Sequence, residues 1–350
     1  MKILIGEISS YKAIVISRYL KHNYTDIKIF SYDKRKFTQK IRSKYSDKHF
    51  CISSNDFEKE LSLIIKEFDI DFFFPVINES LSNLWYNKNL FGKSLDYLGD
   101  FKSYTLLNDK LLLHDLAKKL NILVPKRYEN TAQAKIPYVI KPINLSSAKG
   151  VRYINNTKDI PEKIDLKNII IQQYVKGDGV GFSFYSKNGI ISNGFGHKRL
   201  CEYPISGGSS TYRTNYKDDR MFEAATKIVK HLNYTGFAMF EFKLTNDNEL
   251  YLLEVNPRIW GSIYQGLANG KNYFEEILGK PDLVKQLSQS KDKNTYLAPL
   301  LYLSLFKYAL KFNFKPLLSF ISNMAFNKSD VKLVSDPKGY LSTILRKVGS

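Results

Sequence analysis

Cysteine is nearly absent from this 350-residue chain: Cys51 and Cys201 are far apart and form no CxxC pair. That excludes a disulfide framework and a thiolate zinc site, and it fits a reducing compartment. The start, MKILIGEISSYKAIVI, has no basic segment leading into an apolar run with a small-residue cleavage site, and reads as a first strand. The longest apolar run, Leu297 to Phe306, is stopped by Lys307 and is too short to span a bilayer, so a cytoplasmic protein is expected. The turn after the first strand is Gly6-Glu7-Ile8-Ser9-Ser10, not the GxGxxG of a dinucleotide site, and GxSxG and HExxH are missing too. Acidic residues are scarce, 34 against 53 Lys and Arg, giving a net charge of +19. Such a balance attracts polyanions. The basic residues are nevertheless spread along the chain without a nucleic-acid motif. The charge is therefore read chiefly as compositional, with phosphate-bearing substrates contributing and no nucleic-acid partner.

What is present is a pattern of alternating elements. Residues 2–6, 27–32 and 70–74 read as strands and residues 10–21 and 56–68 as helices, which indicates a parallel α/β unit over about the first hundred residues. A helix after Asp109-Lys110, strands at 138–142, 151–154 and 169–175, and a helix at 219–232 indicate an α+β unit. The tail beyond about residue 290 is rich in Leu, Phe, Tyr and Lys and is expected to be helical up to an Asp336-Pro337 turn.

The sharpest chemical signal lies between Gly236 and Gly261. Strand 237–243, the turn Asn246-Asp247-Asn248 and strand 250–255 form a hairpin that brings Glu241 and Glu254 together on one face, with Asn256 two residues on. Two carboxylates and an amide oxygen make a hard-oxygen site suited to Mg²⁺, and Arg258 aims a guanidinium at a nearby anion. Glu241 alone would read as a solvated surface acid. Glu254 and Asn256, set among Leu252, Leu253, Val255 and Trp260, require partners. The block His197 to Thr211 reads as a basic loop between strands, in which Lys198, Arg199 and the Gly207-Gly208 amides suit an anion. For His197 a plain loop residue is an equal reading. The run Gly177-Asp-Gly-Val-Gly181 is weak evidence for anything by itself.

FEF…LLEVNPR resembles the metal-binding hairpin of the ATP-grasp superfamily, the carboxylate–amine ligases that include the carbamoyl-phosphate synthetase, biotin carboxylase and D-alanine–D-alanine ligase branches. The resemblance runs in order from residue 1 to about 275. It implies a Rossmann-like pre-ATP-grasp α/β domain over 1–100, an α+β ATP-grasp domain over 101–280 hinged near 172–177, and a mostly helical extension over 281–350. It implies ATP and Mg²⁺ as cofactors, with Mn²⁺ as a substitute, and Glu241, Glu254 and Asn256 as metal ligands. Lys110 and Lys141 match phosphate contacts, and Ser146, Ser147, Lys149 and Gly150 the flap over the phosphates. Gln172, Tyr174 and Val175 match the adenine contacts of the hinge, and Asp178 the ribose contact. Arg258, Arg199 and Lys198 match the groups that steady charge at the reacting centre.

The activity so implied is amide formation from a small carboxylate and an amine through an acyl phosphate. A non-catalytic ATP-binding module, or kinase or carboxylase chemistry on the same fold, are the alternatives. For the tail, a peripheral membrane helix serving a lipid-linked or cell-surface polymer precursor is weighed against a core-closing helix or homodimer face, which is favoured.

Overall fold

The protein is described here by a computed structural model covering residues 1–52, 56–145, 150–162, 165–205, 207–280 and 292–348. Strand β1 (Lys2–Ile5) is followed by the Gly6–Ser10 turn and helix α1 (Tyr11–Asn23). Strands β2 (Lys28–Asp33), β3 (Lys48–Cys51) and β4 (Phe72–Phe74) complete a parallel sheet of order β3-β2-β1-β4. Parallel neighbours need long crossovers. Helices α1 and α2 (Phe57–Glu67) supply two of them, and α2 buries Phe57, Leu61, Ile64 and Ile65 along one face.

Helices α3 (Asn78–Tyr86), α4 (Phe101–Asn108) and α5 (Lys110–Lys119) lead out of this sheet. The Asp109 carboxylate accepts from the Leu111 and Leu112 N–H groups, so α5 begins at Lys110 and holds that residue at its first position. A small antiparallel sheet follows, of order β5-β8-β6-β7: β5 (Arg127–Tyr128), β6 (Tyr138–Pro142), β7 (Arg152–Ile154) and β8 (Ile169–Gln173). Its core is separate and slight: Tyr128, Tyr138, Ile140, Ile154 and Ile171.

The largest sheet contains β9 (Asp178–Lys187), β10 (Ile190–Tyr203) and β11 (Ser209–Asn215), then, after helix α6 (Asp219–Leu232), β12 (Gly236–Leu244) and β13 (Leu250–Asn256). Helix α6 is capped by Asp218 and ended by Asn233 in the left-handed region, and it buries Met221, Ala224, Ala225, Ile228 and Val229. The expected loop over 197–211 is largely strand. His197 to Tyr203 belong to β10 and Ser209 onward to β11, leaving 204–208 as the connection. The polar run resembles a loop because most of β10 is only half-buried, so charged residues sit within a strand there.

The tail, expected to be mostly helical, also contributes two short strands. After α7 (Ile263–Ala268) and α8 (Glu275–Leu278), strand β14 (Asn294–Tyr296) adds to β11 and strand β15 (Asn327–Ser329) adds to β14. The large sheet thereby has the order β13-β12-β9-β10-β11-β14-β15. Between them lie α9 (Leu300–Leu310) and α10 (Lys315–Ser322). Asp336-Pro337 starts a helix instead of ending one: α11 (Pro337–Val348) has proline at its first position, and Asp336 accepts from the Gly339 N–H. Arg346 of α11 reaches Ser9 Oγ at 3.0 Å, which ties the tail to the first sheet.

One continuous core joins the first sheet to the large one. At its centre the rings of Phe74, Tyr97, Tyr185, Phe237 and Phe274 pack with centroids 5.1 to 6.3 Å apart.

A titratable group sits at the edge of this unit. His49 is hydrogen-bonded to Ser31 Oγ at 2.9 Å and Thr38 Oγ1 at 3.0 Å, and burial, then Arg42, pushes its imidazole down to about 4. The unfolded imidazole titrates near 6.5, so the unfolded chain binds more protons between these values. The stability supported by neutral His49 is therefore full above the unfolded value and is lost as pH falls toward about 4. The urea midpoint should drop from neutral pH to mildly acid pH. A His49→Gln variant showing the same drop would remove His49 as its cause.

Candidate active site

The β12–β13 hairpin pairs Glu241 directly with Glu254. The two-residue period of β13 puts Asn256 on the Glu254 face. The Asn256 amide donates to Glu241 Oε1 at 2.9 Å, and its Oδ1 accepts from Arg258 Nη2 at 2.6 Å. Arg199, reaching across from β10, bonds Glu241 and lies 3.5 Å from Glu202. Lys110 Nζ stands 3.4 Å from Glu254 and donates to the Leu145 carbonyl at 2.7 Å. Lys141 Nζ donates to the Leu253 carbonyl at 3.5 Å.

Four cations thus surround two carboxylates. Burial pushes Glu241 above the ordinary carboxylate range, with Arg199 opposing and Glu254 adding to the push. Burial pushes Glu254 the same way, but Lys110, Lys141 and Arg199 outweigh it and hold that group low. Burial brings Lys141 down to about 8, Glu254 opposing and Lys110 assisting. Among the described residues no three His, Cys, Asp or Glu side chains gather closely enough to hold a metal ion. The carboxylate pair with the Asn256 oxygen is instead a donor set that fits Mg²⁺, and the surplus of cations fits a polyphosphate.

Two cavities meet at these residues. One, of about 490 Å³, lies between the small sheet and β13 and is lined by Lys141, Tyr153, Gln172, Tyr174, Val175 and Leu253 among others. Its volume lies within the range of cofactor pockets, about 300–1,000 Å³. Gln172 is buried, and its Oε1 has no hydrogen-bond partner among the described residues. An orphaned acceptor in a cavity wall is a place for a ligand donor. The second cavity, of about 210 Å³, is lined by Tyr11 and Lys12 of α1, by His197, by Gly207 to Ser210, and by Asn256, Arg258 and Ser262. Arg199, Gly207, Glu241 and Glu254 line both.

The floor between them depends on glycine. A Cβ on Gly179 would come within 3.1 Å of Arg199 Cδ, and one on Gly181 within 2.7 Å of His197 Cε1. The bare face of β9 therefore lets the two β10 side chains lie flat across it. This explains Gly179 and Gly181, whose alternate-residue spacing matches the period of a strand, while Gly177 is held bare by the Leu244 backbone. His197 is buried, sits 3.3 Å from Ser262 Oγ, and is pushed down to about 3 by burial and then by Arg199 and Arg213, so it is neutral.

Lys198 and Asp178 are not brought into the site. Lys198 alternates to the opposite face from His197 and Arg199, and its ammonium pairs with Asp178 at 2.6 Å. Neither lines the two cavities. Ser146, Ser147 and Lys149 lie outside the described residues; Gly150, at φ +72, closes over Pro142. Residues without a sequence signal also line the site: Tyr11 and Lys12 arrive from the first helix, and Ser262 from the turn before α7.

Residues 107–262 match the model of the ATP-grasp domain. D-alanine–D-alanine ligase of Aquifex aeolicus is 26% identical over 141 residues, 36% of this chain and 47% of that ligase, so the chain spans about half the length of this relative. Tyramine–L-glutamate ligase of Methanocaldococcus jannaschii is 25% identical over 228 residues, 64% of this chain and 67% of that one. In fold, the chain is similar to the biotin carboxylase of Campylobacter jejuni, with a TM-score of 0.60 at 15% identity over 79% of this chain and 69% of that one. The hairpin carrying Glu241, Glu254 and Asn256 and the strands carrying Lys141 and Gln172 all fall inside the segment that matches the ATP-grasp domain.

Proposed function

We propose that this protein is an Mg-ATP-dependent, ADP-forming ligase that joins a small carboxylate to an amine. The observation that carries the reading is the pair of cavities meeting at Arg199, Glu241, Glu254 and Gly207. The nucleotide occupies the larger one, with Gln172 Oε1 accepting from the exocyclic amine, the backbone at Tyr174 and Val175 along the base, and Lys110 and Lys141 on the phosphates. Glu241, Glu254 and Asn256 hold Mg²⁺, which neutralises phosphate charge there. The smaller cavity takes the acceptor carboxylate between Arg199 and Arg258.

A carboxylate oxygen attacks the terminal phosphorus as the bond to ADP breaks, giving an acyl phosphate and ADP. The amine nitrogen then attacks the acyl carbon, phosphate leaves with the bonding pair, and the amine loses a proton to solvent. The two guanidiniums steady the charge spread in both steps. In this reading residues 1–100 close the acceptor side through Tyr11 and Lys12, 101–280 form the grasp, and the described part of the tail, 292–348, buttresses the large sheet.

ADP release from Mg-ATP, measured against pooled carboxylates with and without amino acids, tests the proposal. Release requiring both components, with a new amide mass, supports it. A phosphorylated or carboxylated product in place of an amide sinks it. A second expectation concerns the floor. Gly181→Val should displace His197 and lower turnover about tenfold to hundredfold with circular dichroism unchanged. Full turnover would show that the ring's position is immaterial.

A further inference from the structure

Helices α9 and α10 form a hairpin whose inner face is occupied. Leu301 and Leu305 pack with Cys201 and Tyr212, and Phe320 meets the rings of Tyr212 and Tyr296. The outer face is apolar as well: Phe306, Leu310, Leu318 and Ile321 are each more than half exposed. A helix apolar on both sides is covered on both sides, by protein or by lipid. The tip is the most exposed part. Phe312, 87% exposed, takes φ +56 at the end of α9, a left-handed position that helix ends ordinarily give to glycine or asparagine. A bulky aromatic kept there, pointing into solvent, is not explained by the fold.

Charge decides what covers this face. Lys307, Lys311 and Lys315 border the apolar residues, and the segment 293–329 contains no Asp or Glu. A protein face with no acids among its own residues, in a chain of net charge +19, does not pair with a second copy of itself. It matches a surface that is anionic outside and apolar beneath. Among the described residues no helix is long and apolar enough to cross a membrane, so contact would be peripheral.

We propose that the α9–α10 hairpin docks this protein on an anionic lipid bilayer, Phe312 and its apolar neighbours entering the headgroup boundary and the three lysines holding lipid headgroups. The inference is independent of the ligase reading. Because α9 packs against β10 and β11, docking would hold the wall that carries His197, Arg199 and Ser210 over the membrane.

The whole chain is mixed with phosphatidylcholine vesicles and with vesicles about one-third phosphatidylglycerol, then sedimented. The protein should pellet with the anionic vesicles only, and less at high salt. Substituting Lys307, Lys311 and Lys315 together with alanine should weaken binding about a hundredfold. Phe312→Ser, whose thermal melt should be unchanged, should weaken it by about tenfold or more. Trp85 and Trp260 are buried, so Phe312→Trp supplies an exposed indole, and its emission should shift blue on anionic vesicles. Absence of sedimentation and of the shift would overturn the proposal. So would a concentration-dependent dimer that Phe312→Ser dissolves without any vesicle binding, which would assign the face to a second copy.

Discussion

Glu254→Gln is expected to lower ADP release at least about a thousandfold, since a metal-bridged phosphate centre supplies several kcal/mol of charge stabilisation and each tenfold in rate is about 1.4 kcal/mol. Glutamine keeps the shape and removes the charge. Glu254 is the carboxylate held low by Lys110, Lys141 and Arg199, whereas Glu241 is engaged by Arg199 and the Asn256 amide. The fold should be retained, because Leu252 and Val255 still bury β13. Steady-state turnover with a thermal melt separates the two effects. Turnover within tenfold of the parent would remove Glu254 from the metal set.

Asp330→Ala should have the largest effect on stability, a loss of about 3–5 kcal/mol in urea unfolding. Asp330 and Arg213 are fully buried and bonded to one another, and Arg213 also donates to Thr295 Oγ1 at 2.8 Å and the Ser210 carbonyl at 3.1 Å. Removing the acid strands a guanidinium in the interior and frees the residue that fixes Ser210 in the wall of the smaller cavity. Replacing both partners, Arg213→Met with Asp330→Leu, should recover most of the stability, because the uncompensated charge is then gone. A loss below about 1 kcal/mol for the single variant would place it in the range of an exposed pair.

The readable parts of the site were those set by local periodicity. The pairing of Glu241, Glu254 and Asn256 follows from a hairpin turn and a two-residue repeat, whereas Lys110 was implied only by the family resemblance. Lys198 and Asp178, expected from a basic loop and from the position after the hinge respectively, stand apart from the two cavities. Strand alternation sends Lys198 away from its neighbours and toward Asp178. Tyr11, Lys12 and Asp330 were illegible for another reason. Their positions are set by contacts between segments more than a hundred residues apart, such as Arg213 with Asp330, 117 residues on, which no local pattern encodes.

The division of the interior bears on how anything reaches the site. Phe74, Tyr97, Tyr185, Phe237 and Phe274 bind the first sheet to the large one, so the two walls of the smaller cavity travel together. Among the described residues the small sheet has a separate five-residue core and meets β13 across the larger cavity. Swinging it outward exposes far less apolar surface than parting the other two, so the free energy of opening is lowest there. The larger cavity can therefore widen while the smaller one keeps its shape.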